Sequence, residues 1–465
     1  MNEKTISWEN IIFIDELKNM GYSKCVFIIP KWEEEKKMKK LIIALLVVLM
    51  AIAPIFAQPV TEAQTGSVYW LNFKPESDAV LQELAAAYTA ETGVAVKVVT
   101  AASGTYQTTL TAEMDKEAAP TLFVVGNAAA VDTWGDYCYD LKGTAVANEL
   151  TTDAYNLYDA NGKLCSIGYC YECFGIIVNT DLLAKAGYKL SDIKNFATLK
   201  KVAEDIHARA SKLGFDAFTS SGMDPSSSWR FSGHLGNIPL YYESVADGWT
   251  ECPPTLKGTY LQNFKNLWDL YINNAAVAPN TLAVGGYDAE AEFGKQQAVF
   301  YQNGNWEYDA LTTKYGLKDS QLAMIPFYCG VEGEEKAGLN CGTENCWAVN
   351  ARAKEADIKA TLDFMSWMVT SAKGTELLAK TFGAIPYKKA AAPANVFLAQ
   401  ANEYSAKGHY VMTWAFNYTP NVETWRAGVV SAMNQYDANQ TDANWETVKT
   451  AFIQGWAAQY KAANN

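Results

Sequence analysis

From Val68 onward the apolar positions alternate between short unbroken runs and helical spacing. Val68 to Phe73 is a continuous apolar and aromatic run, and Ser77 to Thr92 carries Val80, Leu81, Leu84 and Tyr88 at helical intervals before Gly93 stops it. Val94 to Thr100 is β-branched and predicts a second strand. A strand, helix, strand order implies a parallel pair joined by a right-handed crossover. Residues 105 to 118 predict another helix, broken by Pro120, and Leu122 to Gly126 a third strand. This is the opening of a doubly wound α/β lobe, in which ligands sit beyond the carboxyl ends of the strands. The loops following these strands therefore draw interest: Lys74-Pro75-Glu76, Ser103 to Tyr106, and Asn127-Ala128.

Residues 163 to 180 read as one long strand interrupted by Glu172. A carboxylate inside an apolar strand is costly to bury unless polar groups meet it, so it points to a polar pocket or to a core Glu with a satisfying partner. A second α/β unit follows, with helices at 181 to 187 and at 198 to 212, the latter opened by Thr198 as N-cap, and a strand at Phe215 to Thr219. Helices are expected at 257 to 274 and 288 to 294. Ala298 to Tyr301 is a strand ending in Asn303-Gly304-Asn305-Trp306, Gln321 to Tyr328 is another, and the last 110 residues are mainly helical. No internal repeat or low-complexity linker appears, which fits lobes connected by several crossings.

The N-terminus carries an address. Lys36, Lys37, Lys39 and Lys40 precede the apolar run Leu41 to Ala53, with Pro54 and the small Ala57 after it: the charged, apolar and cleavage regions of a secretory signal. The run is shorter than the roughly 20 residues of a spanning helix. We therefore expect a signal peptide at 38–57 cut near Ala57, with no lipid anchor because Gln58, Pro59 and Val60 follow in place of a lipid-bearing cysteine. Residues 1–37 resemble no part of a signal, and translation is expected to begin at Met38.

Composition sharpens this picture. The chain of 465 residues is 49% hydrophobic and 19% charged with a net charge of -13, and it has no basic run after the signal, which argues against nucleic-acid binding and for a soluble monomer. Most of its 14 Trp, 26 Tyr and 19 Phe must be core, and a surplus beyond core needs is what a sugar-stacking pocket would produce, because flat rings suit the apolar faces of sugars. Eight cysteines follow the signal: Cys138, Cys165, Cys170, Cys173, Cys252, Cys329, Cys341 and Cys346. An even set in an exported chain predicts disulfides, with pairing open among 105 arrangements. A zinc site built on Cys170, Cys173, Cys341 and Cys346 is the weaker reading, with only three His present.

The order of these features resembles extracellular solute-binding protein family 1, the group that includes maltodextrin-binding proteins. Four stretches carry the resemblance: Gly162 through Glu172 to Leu183, Ala298 to Trp306, Phe382 to Pro386, and Pro420 to Trp425 leading into a helix. The resemblance implies an α/β, two-lobe periplasmic binding protein fold of type II, each lobe a doubly wound sheet flanked by helices, joined by a multi-segment hinge. Family pattern puts the crossings near 170 to 175, 322 to 328 and 370 to 376, giving an N-lobe of 66–172 with 325–372 and a C-lobe of 173–324 with 373–465. It further implies that Glu172 accepts sugar hydroxyls and that Trp306 and Trp425 stack on rings, with Asn127 as a polar contact. Lys74, Glu76, Tyr106, Trp229, Arg230, Asn305, Glu344 and Trp414 join them as residues of the expected cleft loops. The function implied is capture of a carbohydrate for the permease subunits of an ABC importer, in the periplasm and without a cofactor. Gly168-Tyr169-Cys170-Tyr171 departs from the proline or aliphatic residue common before the hinge carboxylate, which leaves the ligand open.

Two other readings compete. A secreted glycosidase would need two carboxylates flanking a scissile bond, a part that Glu172 and Glu344 would have to play; no nucleophile motif surrounds His207, His234 or His409. The same fold could instead take a polyamine, an iron chelate or a peptide, and convergence of Glu76, Glu172 and Glu344 would favour the polyamine.

Overall fold

The computed structural model describes residues 66–383, 385–391 and 395–464; the segment 1–37, the signal at 38–57 and Cys25 lie outside the described residues. Twelve strands are named in chain order: β1 (Val68–Asn72), β2 (Val96–Thr100), β3 (Leu122–Val124), β4 (Leu157–Tyr158), β5 (Leu164–Gly168), β6 (Glu172–Asn179), β7 (Asp216–Phe218), β8 (Ala298–Gly304), β9 (Leu322–Ile325), β10 (Ala337–Gly342), β11 (Cys346–Val349) and β12 (Tyr410–Thr413).

They form two sheets. The first has the order β2-β1-β3-β11-β5-β4, the second β12-β10-β6-β8-β7 with β9 also on β6. β1 runs parallel to both β2 and β3, as the alternation of runs and helices implies. Both lobes are therefore helix-flanked sheets of a two-lobe α/β fold, the architecture expected from sequence. Every residue of β1, β5, β6 and β8 is buried, which explains why these strands read as unbroken apolar runs. One core gathers Trp70, Phe123, Tyr169, Trp347 and Phe364 around the first sheet, and another gathers Phe174, Phe218, Trp268, Trp425 and Trp456 around the second.

Several boundaries move. The long strand expected at 163 to 180 is two strands, β5 and β6, in different sheets, so Glu172 opens a strand where the chain changes lobe. The second crossing falls between β10 and β11, at Thr343–Asn345, and not near residue 325, because β9 and β10 both pair with β6 and keep that stretch in the C-lobe. The third lies between Phe382, in the first core, and Phe397, in a C-lobe cluster; the helices Glu355–Thr370 and Ala372–Thr381 both pack on the first core through Phe364 and Leu377. The helix at Phe196–Ala208 is capped by Asn195, whose Oδ1 accepts from the amide of Thr198 at 3.0 Å; Thr198 is the third helical residue, and its Oγ1 accepts from Asn195 N at 3.1 Å.

No disulfide joins the eight cysteines in this structure, and seven of them are buried. Most are spent as small apolar side chains inside the cores, and Cys252 lies on a loop beside Pro253, where its thiol donates to that residue's carbonyl at 3.6 Å. Among the described residues no group of three or more His, Cys, Asp or Glu side chains is placed to hold a metal ion. Among them, too, no helix is long and apolar enough to cross a membrane.

Candidate ligand-binding cleft

The two crossings β5–β6 and β10–β11 run side by side. Gly342 is the register partner of Glu172, and the amide of Tyr169 donates to the carbonyl of Asn345 at 2.8 Å. Glu172 thus stands at a crossing between the two sheets, where side chains from both lobes reach it.

Lys74 arrives from the loop after β1. Asn72 fixes that loop by donating through Nδ2 to Lys74 O at 2.7 Å and accepting from Lys74 N at 3.0 Å. Lys74 Nζ then donates to Glu172 Oε1 at 2.6 Å and lies 3.0 Å from Glu76 Oε1, while Asn345 Nδ2 donates to Glu172 Oε2 at 2.7 Å. Both side chains of the Lys74–Glu172 pair are 5% exposed. Burial alone would discharge the ammonium, but Glu172 and Glu76 outweigh it and hold Lys74 above the ordinary lysine range. The result is a charged bridge from the N-lobe to the first crossing.

Beside this bridge the C-lobe presents aromatic rings. Trp306 lies 5.4 Å from Lys74 Nζ by its ring centroid, 6.1 Å from Trp229 and 5.3 Å from His234. His234 stacks on Phe174 at 4.0 Å, and Trp414 lies against the same Phe174 at 5.3 Å. His234 comes from a π-helical turn, Arg230–Leu235, a geometry that often marks functional sites. Two glycines admit the indoles: a Cβ on Gly304 would sit 2.3 Å from Trp306, and one on Gly342 would sit 2.7 Å from Trp414. At the rim the lobes touch, with Ser103 Oγ 3.5 Å from Ser226 O and the backbone of Gly104 against Pro225 O.

Hydrogen-bonding capacity is left over in this region. Among the described residues, Nε1 of Trp414, Nδ1 of His234, Nε of Arg230 and Oε2 of Glu307 are buried without a partner. Burial pushes Glu344 up to about 7, with Glu423 and Glu172 adding to the shift and Arg426 and Lys74 opposing it. Burial likewise pushes Glu307 up to about 8, with Glu290 and Glu76 assisting and Arg230 opposing. His234 is held well below the usual imidazole range by burial and by Arg426, Arg230 and Lys74, so its ring stays neutral.

The sequence-derived set divides. Lys74, Glu76, Glu172, Trp229 and Trp306 come together beside the two crossings, with Trp414 behind Phe174 and Glu344 on the second crossing beside Asn345. Arg230 lies deeper, its guanidinium 5.2 Å from the Tyr301 ring and donating to Ser220 O at 3.3 Å. Asn305 fastens the hinge, Oδ1 accepting from Cys173 N at 2.7 Å. Asn127 caps the helix Ala128–Trp134 by accepting from Ala130 N at 2.8 Å. Tyr106 and Trp425 stand apart. The Tyr106 hydroxyl is consumed inside the N-lobe by Val124 N at 2.7 Å. Trp425 is 2% exposed, donates to Phe452 O at 3.1 Å and packs edge-on against Phe452 and Trp456, so it serves the helical core. Sequence reasoning missed Asn345, His234, Phe174 and Arg426. The last follows Trp425 by one position and lies with its Nε 3.3 Å from Ser232 Oγ.

Residues 83–410 match the family model described as bacterial extracellular solute-binding protein. The chain belongs to that family. No curated protein sequence matches it. Solved structures of similar fold include a solute-binding protein named RafE in complex with raffinose, with a TM-score of 0.65 and 15% identity over 86% of this chain and 100% of that one. The GacH receptor of Streptomyces glaucescens, described unliganded and with acarbose, has a TM-score of 0.63 and 17% identity over 86% of this chain and 98% of its own. A chitin oligosaccharide binding protein has a TM-score of 0.64 and 15% identity over 86% and 99%. At such identities the solute-binding protein shares the fold with these structures.

Proposed function

We propose that this solute-binding protein captures a carbohydrate, a mono- or oligosaccharide, between its lobes and delivers it to the permease subunits of an ABC importer. The observation that carries this reading is the pairing of a fully engaged charged bridge, Lys74–Glu172–Asn345, with the neighbouring rings of Trp306, Trp229 and His234. Indole faces suit the apolar side of a pyranose, and unspent donors and acceptors at Trp414, His234, Arg230 and Glu307 suit its hydroxyls. Raffinose and chitin oligosaccharide, named for structures of the same fold, agree with that chemistry.

A ligand touching both lobes binds the closed arrangement more tightly than the open one, and that difference in affinity drives closure about the crossings. The protein then works as a monomer, exported through a signal at 38–57, cut near Ala57 and released into the periplasm without a lipid anchor. A polyamine would demand charged carboxylates free to meet it. Glu172 has both oxygens engaged, and the raised Glu344 and Glu307 give up negative charge near neutrality, which favours an uncharged ligand. The same engagement of Glu172 speaks for a binder over a glycosidase.

A thermal-shift panel of saccharides and polyamines, followed by calorimetry and small-angle scattering on any hit, tests the reading. The expected result is micromolar saccharide binding, roughly -8 kcal/mol, with compaction of the particle. Stabilisation by polyamines and no saccharide, or release of cleaved sugar on long incubation, overturns it.

A further inference from the structure

The roots of the two adjacent crossings carry a pair of cysteines in a special relation. Cys173 and Cys341 are register partners in the antiparallel pair β6–β10, one position from the Glu172–Gly342 partners. The amide of Cys173 turns away from Cys341 and donates to Asn305 Oδ1 at 2.7 Å. That makes the two cysteines a non-hydrogen-bonded pair, the closer kind, whose Cα atoms lie about 4.5 Å apart. Their side chains leave the sheet on the same face, into one small cluster with Leu339, Phe397 and Leu398. Exposure is 0% for Cys173 and 5% for Cys341. Disulfides accept Cα separations from about 4.4 Å upward, so a bond here needs side-chain rotation without backbone movement.

We infer that Cys173 and Cys341 form a disulfide when the chain folds under oxidising conditions, tying the two crossings together at the C-lobe end of the hinge. The step is thiol–disulfide exchange. Cys173 and Cys341 lose their two S–H bonds and gain one S–S bond, and a donor disulfide, glutathione disulfide or a protein of the same chemistry, takes up the two electrons and two protons to leave as two thiols. Burial pushes both thiols up, Cys341 to about 11, so exchange precedes closure of the surrounding cluster and the finished bond is shielded from reductant. Once formed, the bond limits bending of these two crossings to Tyr169–Tyr171 and Thr343–Asn345 and holds Glu172 at a fixed place beside them. The inference depends on an oxidising milieu and not on the identity of the ligand.

The test uses the chain from Met38 onward, exported or refolded with glutathione disulfide, alkylated in denaturant and digested without reduction. A peptide pair linked through Cys173 and Cys341, two hydrogens lighter than the sum of its parts, is expected. Each single variant, C173S and C341S, should show one more titratable thiol than the parent, and C173S/C341S should match the parent's count. The parent's melting temperature should fall in reductant, and the double variant's should already be low and indifferent to reductant. Full alkylation of both cysteines in the refolded parent, or a link from Cys173 to another cysteine, overturns the inference. Saccharide binding by the double variant separates this outcome from failure of the proposed function.

Discussion

Replacing Lys74 and Glu172 singly and together tests the charged bridge at the hinge. Lys74→Met leaves the Glu172 carboxylate with only Asn345 as partner in a site 5% exposed. Removing one member of a buried ion pair typically costs about 3–5 kcal/mol, because the other charge stays desolvated. Glu172→Gln strands Lys74 less completely, since Glu76 remains 3.0 Å away, so its cost belongs near about 3 kcal/mol. The double variant removes both charges and should cost little more than the milder single change, giving a coupling of about 3–4 kcal/mol. Urea unfolding followed by tryptophan fluorescence supplies all four stabilities, with midpoints compared at equal slope. If the double variant equals the sum of the singles within about 0.5 kcal/mol, Lys74 and Glu172 act independently and the bridge has no role in holding the lobes.

Three further outcomes are expected. Trp306→Ala should weaken saccharide affinity by about 1–3 kcal/mol in calorimetry while the circular dichroism and melting temperature stay near the parent's, since the indole is half-buried at the cleft. Trp425→Ala should do the reverse, destabilising by about 3–5 kcal/mol with unchanged affinity in the folded fraction; a normal melt with lost affinity would return Trp425 to the cleft. Glu344 and Glu307 hold protons in the folded protein at pH values where an ordinary carboxyl near 4.5 has lost them, so stability should fall as pH rises from about 4.5 through 7 to 8. Urea midpoints at a series of pH values should show a shallower decline in Glu344→Gln, and an identical decline would remove Glu344 as a source.

The parallel strands around β1 were legible because burial on both faces imposes unbroken apolar runs, and the intervening helix from Asp78 to Thr92 announces itself by period. The change of sheet at Tyr169–Tyr171 was not, because the residues on both sides are equally apolar and equally buried. Hydrophobicity records that a strand is covered; it does not record by which sheet. The same blindness misplaced the second crossing, since β9 and β10 reveal their loyalty to β6 only through pairing with residues more than 140 positions away.

For the cleft, the informative residue was the one whose chemistry fought its surroundings. Glu172 interrupts an apolar stretch and must find partners, and Lys74 with Asn345 supplies them, though nothing in the sequence ties positions 74, 172 and 345 to one another. Tryptophan carries no such conflict, because a core and a sugar face make the same demand for a large flat apolar surface. Trp306 and Trp425 are therefore alike in sequence and opposite in placement. What separates them is the neighbour that each backbone tolerates: Gly304 lets the first indole fold over a strand end toward Lys74, while Phe452 and Trp456 enclose the second. A glycine just before an aromatic at the end of a buried strand is thus a better pointer to a cleft ring than the aromatic itself, and Gly304-Asn305-Trp306 displays it.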